Sequence, residues 1–405
     1  MESHPKVSQT LTPAVADFAA HLDRERLVGR LKELVQTASE NPPGNELAVA
    51  GLVEGYCRAL DLDVATYEAE PDRPSVVARW SDASGPTLGY CSHYDVVPAG
   101  DVRLWAEEPF GATISDGRMH GRGSADAKGP IAAAIEAVEI LRRAGTPLHG
   151  TLELELVADE ETMGFKGAGY LVDQGIVTPD IAIVGEPTSL RVVRAQRGAC
   201  WIRITTKGVA AHGSAPERGV SAVRHMAELV LRLEETLPDI VHPVLGGPTI
   251  GVGTIRGGEK VNVIPASCTI EVDRRTVPGE SEESVLASVE EAVEVARKRF
   301  PDLDAEIEIL FQSKPFEVVE DAPVVRTVAR SITDVTGRET ALVGFRGASD
   351  ARFLFEAGAE VVLCGPGDIT LAHTARESID LDELEQAALG YALSFARLLG
   401  PRGES

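Results

Sequence analysis

The chain has 405 residues, 43% of them hydrophobic, which is enough for one large globular domain or two ordinary ones with real cores. Asp and Glu total 63 against 39 Lys and Arg, so the formal net charge is −24. This negative charge disfavours nucleic acids and anionic membranes as partners, because both would be repelled.

From about residue 24 to 194 the chain alternates between helical and strand patterns. The apolar spacing predicts amphipathic helices over 27–38, 47–60 and 128–144 and strands over 87–95, 151–161 and 180–187. Such alternation is typical of a mostly parallel sheet with helices on both faces. In the strand that begins TLELELV, the apolar residues end before Asp159, Glu160 and Glu161. These carboxylates are therefore expected at its C-terminal tip, where an α/β sheet opens its ligand crevice.

A different order of elements follows over residues 197–313. The patterns predict strand, helix, strand, strand, helix and strand over 199–208, 220–237, 249–258, 268–277, 281–300 and 305–311. This β-α-β-β-α-β order is that of a ferredoxin-like unit. Alternating patterns then resume and end with a helix over 381–400. We therefore predict a discontinuous α/β domain of residues 1–196 and 314–405, interrupted by an inserted domain of residues 197–313.

Side chains of the types that bind metals lie at or after the ends of several predicted strands. They are His93, Asp126, Glu160, Glu161, Glu186 and His373. This mixture of imidazole and carboxylate groups is the ligand composition of a two-zinc hydrolase. Asp95, two residues beyond His93, is placed to accept the second ring N–H of that histidine. Taken singly, each feature has an ordinary alternative: Glu160 and Glu161 also fit a solvated acidic turn, and His373 a solvated loop.

The cysteines and the N-terminal segment bear on the cellular location. The five cysteines are scattered and odd in number, and they lie in apolar contexts, which favours free buried thiols over disulfides. The N-terminal segment has no apolar stretch behind a basic one, and no apolar run is long enough to span a bilayer. The expected location is therefore the cytoplasm.

Six motifs together carry a family resemblance. SHYDVVP, GRGSADAKG, DEE, GEPT, AAHGSAP and GPG…AH…E occur in this order, and through them the chain resembles the M20 metallopeptidase and amidohydrolase family over residues 25–398. That family includes acetylornithine deacetylase, succinyl-diaminopimelate desuccinylase, aminoacylase and the glutamate carboxypeptidases. The resemblance implies an α/β catalytic domain of the zinc-peptidase type, with an inserted ferredoxin-like domain that serves as a dimerisation or lid domain.

The resemblance also implies a role for each site residue. His93 and Glu186 would bind one zinc ion, Glu161 and His373 would bind a second, and Asp126 would bridge the two; cobalt is expected to substitute. Glu160 would be the general base, and Asp95 would support His93. His212 in AAHGSAP would enter the active site of the neighbouring subunit and polarise the scissile carbonyl, so a homodimer is expected.

Further positions match the family's substrate-binding residues. They are Asn262, Arg275, Gly347 and Ser349. Ala348 stands where the family commonly has Thr, so the chain departs from the family's pattern at the position of this side-chain contact. Arg275 has an ordinary alternative, since it can pair with Glu271 or Asp273 along its own strand.

These observations predict a di-zinc amidohydrolase that cleaves an N-acyl amino acid with a free carboxylate, in the manner of acetylornithine deacetylase. In the mechanism, Glu160 takes a proton from a metal-activated water and returns it to the leaving nitrogen. A dipeptidase or carboxypeptidase of the same family is the alternative for the substrate. A non-catalytic relative that binds a small molecule or a partner protein is a second alternative, for which a broken ligand set would be expected.

Overall fold

The computed structural model describes residues 13–81 and 85–400, and the chain groups into two compact units. Unit 1 comprises residues up to Arg194, Val318–Val343 and the chain from Ser349 onward. Unit 2 comprises Ala195–Glu317 and the short segment Gly344–Ala348. The return of Gly344–Ala348 to unit 2 has no counterpart in the sequence pattern.

The strands and helices are as follows in chain order. The strands are β1 (Asp63–Glu68), β2 (Pro74–Ser81), β3 (Thr87–His93), β4 (Thr113–Ser115), β5 (Arg118–His120), β6 (Thr151–Val157), β7 (Ile181–Val184), β8 (Val192–Gln196), β9 (Gly198–Lys207), β10 (Ala211–His212), β11 (Thr249–Gly257), β12 (Val263–Ile264), β13 (Ser267–Thr276), β14 (Asp304–Ser313), β15 (Phe316–Glu317), β16 (Leu342–Phe345), β17 (Glu360–Leu363) and β18 (Ser378–Asp380). The helices are α1 (Pro13–Ala19), α2 (Arg24–Gln36), α3 (Leu47–Ala59), α4 (Lys128–Arg143), α5 (Ala168–Asp173), α6 (Ala222–Leu233), α7 (Glu282–Arg297), α8 (Pro323–Thr336), α9 (Ala351–Glu356) and α10 (Leu381–Leu398).

The predicted α/β class is confirmed by the large sheet of unit 1. Within this unit its strands run in the order β1-β2-β6-β3-β7-β17-β8. Parallel pairing joins β6, β3, β7 and β17, and the outer strands pair antiparallel. The parallel part is thus central, and the carboxyl ends of its strands lie at one edge of the sheet.

Strand β6 shows that both faces of this sheet are covered. Its alternating Leu and Glu residues suggest one apolar and one solvated face, but Leu152 through Val157 are all buried. Glu153 pairs with Arg79 of β2. Glu155 is fully buried and neither of its carboxylate oxygens has a hydrogen-bond partner. Gly89 of β3 makes room for it, because a Cβ at that position would lie 2.5 Å from Glu155 Oε1.

The helices of unit 1 begin and end close to the predicted positions. The predicted helix over 27–38 is α2, which begins three residues earlier because Asp23 caps it, accepting a hydrogen bond of 3.1 Å from the Arg26 N–H. Asp380 caps α10 in the same way. Among the described residues, no helix has the length and apolar character that crossing a bilayer requires. All five cysteines are free and buried, as predicted.

The sheet of unit 2 has the predicted ferredoxin-like arrangement. Strands β11-β13-β9-β14 form it in that order, and every neighbouring pair is antiparallel. Helices α6 and α7 contribute Leu229 and Val289 to a core that is separate from that of unit 1. In β9 and β13 buried residues alternate with exposed or half-buried ones, as expected for a sheet covered on one face.

Candidate metal centre and active site

The six predicted metal-site residues meet at the carboxyl edge of the parallel strands. His93 is the last residue of β3 and Glu186 follows β7 by two residues. Beyond β6 the left-handed backbone of Asp159 turns the chain into a short 3-10 helix, Glu160–Thr162. The strand therefore ends at Val157 and not at Glu161 as predicted, and the two glutamates lie on this turn. Asp126 precedes α4 and His373 follows β17; the six residues form what we call the acidic cluster.

Asp126 lies at the centre of the acidic cluster. Its Oδ1 is 3.1 Å from His93 Nε2, and its Oδ2 is 3.3 Å from His373 Nε2. His93 Nε2 is also 3.9 Å from Glu186 Oε1 and 4.0 Å from Glu160 Oε2. His373 Nε2 is 3.0 Å from Glu161 Oε2. One carboxylate thus faces two imidazoles with different oxygens, and each imidazole has a further glutamate beside it.

The charges of the acidic cluster do not balance among themselves. Four carboxylates share two imidazoles, so the cluster is negative even when both rings are protonated. Burial raises the pKa of Glu160 and of Glu186 well above the ordinary value, and neighbouring carboxylates add to this. Contacts with Asp126 and Glu161 raise the pKa of His373 to about 10. This environment favours a bound cation.

His93 on β3 and Asp126 before α4 are both shifted toward their charged forms. Burial alone would lower the pKa of His93, but its contacts with Asp126 and Asp95 outweigh this and raise it well above the ordinary value. Burial would raise the pKa of Asp126, and its contacts with His373 and His93 lower it instead. The ligand atoms of His93, Asp126 and Glu161 all lie within 4.8 Å of one another. This spacing and donor set fit a divalent cation.

Asp95 supports the site in two ways. Its backbone oxygen is 2.9 Å from His93 Nδ1, whereas its carboxylate Oδ1 is 3.5 Å away. The carboxylate accepts hydrogen bonds from the backbone N–H groups of Glu160, 3.2 Å, and Glu161, 3.1 Å. Asn41 Nδ2 donates a further bond of 2.8 Å to it. Asp95 therefore fixes the turn that carries both glutamates, with Asn41 as a partner that sequence reasoning missed.

Glu377 is a second residue that sequence reasoning missed. Its Oε1 accepts hydrogen bonds of 3.2 Å from the backbone N–H groups of both Ala125 and Asp126. Its Oε2 pairs with Arg122. Burial raises the pKa of Glu377 to about 7. The glutamate that ends the GPG…AH…E motif thus holds the backbone of Asp126 in place, and its presence in that motif was the only sequence signal.

A third residue that sequence reasoning missed directly follows the predicted substrate-binding turn. Ser349 is buried in unit 1, while Gly347 belongs to unit 2. The next residue, Asp350, is also buried, and this raises its pKa to about 7. The negative charge of Asp350 contributes to the raised pKa of Glu160. Sequence reasoning stopped one residue short of this carboxyl group.

The remaining predicted residues belong to unit 2. His212 on β10 lies opposite Val263 on β12, and the Gly213 N–H donates a hydrogen bond of 2.8 Å to the Asn262 carbonyl, so His212 and Asn262 are near neighbours. Arg275 Nε is 2.9 Å from Asp273 Oδ1 on the same strand. The ordinary alternative for Arg275, an ion pair along β13, is therefore present in the structure.

Comparisons with known proteins agree with this site. The model of peptidase family M20/M25/M40 matches residues 89–396. Acetylornithine deacetylase of Myxococcus xanthus is 32% identical over 81% of this chain and 84% of its own length. Acetylornithine deacetylase of Proteus mirabilis is also 32% identical, over 86% and 89%.

The fold comparisons agree as well. Aminopeptidase PepT of Bacillus cereus superposes with a TM-score of 0.78 at 24% identity, covering 93% of this chain and 99% of that one. The YXEP protein of Bacillus subtilis, described as a dinuclear metal binding peptidase, has a TM-score of 0.73 at 15% identity over 93% and 98%. With a family match over most of the chain and close relatives along its length, this chain belongs to peptidase family M20/M25/M40 and is a hydrolase of amide or peptide bonds.

Proposed function

We propose that the chain is a di-metal amidohydrolase that releases the acyl group from an N-acyl amino acid with a free carboxylate. The observation that carries this proposal is the acidic cluster, in which four carboxylates and two imidazoles converge. The two acetylornithine deacetylases at 32% identity support the acyl amino acid as substrate class. The five free cysteines fit a reducing compartment, and we place the enzyme in the cytoplasm.

The acidic cluster would hold two divalent ions, for which zinc is the best candidate because the set combines imidazole with carboxylate. His93 and Glu186 would bind one ion, and His373 and Glu161 the other. Asp126, which faces both imidazoles, would be shared by the two ions. When bound, such ions polarise a carbonyl and allow water to act as a nucleophile near neutral pH.

Glu160 is the proposed general base. Its carboxylate lies 4.0 Å from His93 Nε2 and is mostly buried, with 16% of the side chain exposed. Burial and neighbouring carboxylates raise its pKa, so it holds a proton more readily than an ordinary glutamate. It accepts a proton from the attacking water and delivers it to the leaving nitrogen. Asp95 and Asn41 keep its turn in place during both transfers.

His212 is the proposed donor to the developing oxyanion. Its Nδ1 accepts a hydrogen bond of 3.1 Å from the Ser214 N–H, so in the neutral ring the proton is on Nε2. The ring is exposed, so its Nε2–H is free to donate to a group outside this loop. In the proposed homodimer, this group polarises the scissile carbonyl in the other subunit.

A hydrolysis panel tests the proposed reaction. The metal-loaded chain is offered N-acetyl, N-succinyl and N-carbamoyl amino acids and dipeptides, with Zn²⁺ or Co²⁺ added. We expect hydrolysis of the N-acyl amino acids, and a chelated sample is the control. Hydrolysis of dipeptides alone would favour the dipeptidase alternative, and no hydrolysis of any amide by a metal-loaded sample would overturn the proposal.

Subunit mixing tests the proposed dimer. His212→Ala and Glu160→Gln chains are each expected to be inactive. After subunit exchange, one site in each mixed dimer combines an intact Glu160 with an intact His212 from the partner, and activity should return. Proven exchange without any rescue would show that His212 does not act across subunits.

A further inference from the structure

The exposed loop over residues 99–112 of unit 1 carries an aromatic side chain that the proposed chemistry does not use. Every residue of 101–108 is exposed except Trp105, which is half-buried. Its neighbours Val102 and Leu104 are 59% and 72% exposed, so they face solvent. The indole of Trp105 instead lies against the protein, and its ring face and its N–H each make a contact there.

The ring face of Trp105 supports the residues that hold the Asp126 backbone. The Arg122 guanidinium carbon lies 5.1 Å from the ring centroid, which is within the range of a cation–π contact. Arg122 is 2% exposed and pairs with Glu377. Glu377 in turn accepts the hydrogen bonds from the Ala125 and Asp126 N–H groups. Because Arg122 Nε is buried without a hydrogen-bond partner, the guanidinium is held mainly by this carboxylate and this ring.

The indole N–H of Trp105 supports a second proposed ligand. Its Nε1 donates a hydrogen bond of 2.9 Å to the Ala99 carbonyl, and the Ala99 N–H donates one of 2.8 Å to Glu40 Oε1. Two residues earlier, the Val97 N–H donates a hydrogen bond of 3.2 Å to Glu161 Oε1. Ala99 is thus fixed through both its N–H and its carbonyl, and this segment also carries the N–H that orients Glu161.

The two supports of Trp105 lead to the same proposed ion. Asp126 and Glu161 both face His373, whose Nε2 lies 3.3 Å from Asp126 Oδ2 and 3.0 Å from Glu161 Oε2. Glu186, assigned to the other ion, follows β7 by two residues and takes its position from that strand. Trp105 therefore supports the two ions unequally.

We infer that Trp105 is a positioning residue for the ion proposed between Asp126, Glu161 and His373, and that its loss weakens this ion more than the other. The inference rests on the proposed di-metal centre. A ligand that is held in place before the ion arrives loses less conformational freedom on binding. Residues that orient metal ligands from outside the ligand set therefore change metal affinity, by about 10- to 100-fold when they are replaced.

Metal titration of the full chain tests this inference without any hydrolysis. Zn²⁺ is titrated by calorimetry into metal-stripped wild type and Trp105→Leu. The two binding steps are assigned with Glu161→Gln and Glu186→Gln, each of which should weaken a different step. We expect Trp105→Leu to weaken the step that Glu161→Gln weakens by about 10- to 100-fold, and the other step less.

Trp80→Leu is the matched control for a purely structural effect. The Arg142 guanidinium carbon lies 4.0 Å from the centroid of the Trp80 ring, so this variant also removes a cation–π contact of a half-buried tryptophan in unit 1. Trp80 pairs with Leu152 at the amino end of β6, at the edge opposite the acidic cluster. We expect Trp80→Leu to lower the melting temperature while both metal affinities stay at the wild-type values.

Trp105→Phe separates the two contacts of the indole. It keeps a ring face for Arg122 and loses the N–H that binds Ala99, so its metal affinity should lie between those of wild type and Trp105→Leu. It is also the milder replacement and carries the test if Trp105→Leu does not fold.

The possible failures of this experiment are distinguishable. If a folded Trp105 variant kept the wild-type affinity at the Glu161 step, or weakened both steps equally, the inference would be refuted and the di-metal centre would stand. The inference would also be refuted if Trp80→Leu weakened the Glu161 step as much as Trp105→Leu does. Wild type that binds fewer than two ions would refute the di-metal centre itself, and this inference with it.

Discussion

The two units place charged side chains in opposite ways. In unit 1 the acidic cluster gathers buried carboxylates around two imidazoles, and Asp126 alone faces both. On the sheet of unit 2, Arg203 lies between Glu271 and Glu308 at 2.9 Å each, with all three side chains about half exposed. The same residue types thus serve as candidate ligands in one unit and as surface ion pairs in the other.

Burial decides which role a carboxylate has. An exposed ion pair is worth roughly 0–1 kcal/mol, because water and salt screen it. A buried carboxylate without a cation costs several kcal/mol, so it persists only where a ligand or a proton compensates it. A buried carboxylate for which the protein provides too little positive charge is therefore either a candidate cation ligand, as in the acidic cluster, or a group that holds a proton, as expected for Glu155.

Removal of metal should have the largest effect, and the effect should fall on unit 1. Chelation should abolish amide hydrolysis and destabilise unit 1, because the carboxylates of the acidic cluster then repel one another. At a free metal concentration 1,000-fold above its Kd, the bound ion contributes about 4 kcal/mol of stability. Elemental analysis should find about two divalent ions per chain before chelation. If a thoroughly metal-stripped sample kept the original rate and melting temperature, the carboxylates of the acidic cluster would not depend on a bound cation.

Substitution of the neighbouring residues Glu160 and Glu161 should distinguish the general base from the metal ligand. Glu160→Gln should lower kcat by at least ~10²-fold with metal content unchanged, as expected for loss of general acid–base catalysis. Glu161→Gln should lower the rate and the metal content together, because its carboxylate faces His373 at 3.0 Å. Steady-state kinetics and elemental analysis on both variants measure this. Near-normal rates in both would show that the pair is misassigned.

Glu155 should make stability depend on pH. Burial, followed by the negative charge of Glu153, raises its folded pKa well above the ordinary value. Its contribution to stability is complete below the unfolded pKa and is lost as the pH rises through the folded pKa, by up to about 1.4 kcal/mol per pH unit. Glu155→Gln removes this loss, so its stability relative to wild type should improve from pH 5 to pH 8.

Urea unfolding at each pH measures the effect of Glu155→Gln. Glu290→Gln, at an exposed position of α7, is the matched control and should track wild type throughout. A difference between Glu155→Gln and wild type that stays constant with pH would mean that Glu155 is ionised in the folded protein.

The smallest effect is expected in unit 2. Arg203→Gln should change the free energy of unfolding by less than about 1 kcal/mol, and the difference should shrink as salt is added. Chemical denaturation at low and high ionic strength measures both quantities. A loss of several kcal/mol would show that the surface pairs of unit 2 carry as much energy as buried groups.

Local pattern and motif order were enough to predict the fold class and the members of the acidic cluster. The alternation of helices and strands set the α/β class, and the ends of β3, β6 and β7 gave the edge at which His93, Glu160 and Glu186 meet. Periodicity works here because each element buries its own apolar face, which is a local property of the sequence.

The supporting contacts were beyond such reasoning because they join distant positions through the backbone. Glu377 bonds to backbone N–H groups and Asn41 bonds to another carboxylate. The motif that contains Glu377 marks its position but not this contact, and nothing near Asn41 marks its role. Glu155 was hidden because alternating Leu and Glu suggests a solvated face, which the covering of both sheet faces removes.

The contact of Glu377 with the Asp126 backbone has a consequence for the order of biosynthesis. Ribosomes add about 5–20 residues per second, and His373 and Glu377 follow Glu186 by about 190 residues. Nascent chains therefore carry His93, Asp126 and Glu186 for roughly 10–40 s before the last members are made. Binding of the second proposed ion would therefore have to wait until His373 has been made, and until then His93, Asp126 and Glu186 lack the other members of the acidic cluster.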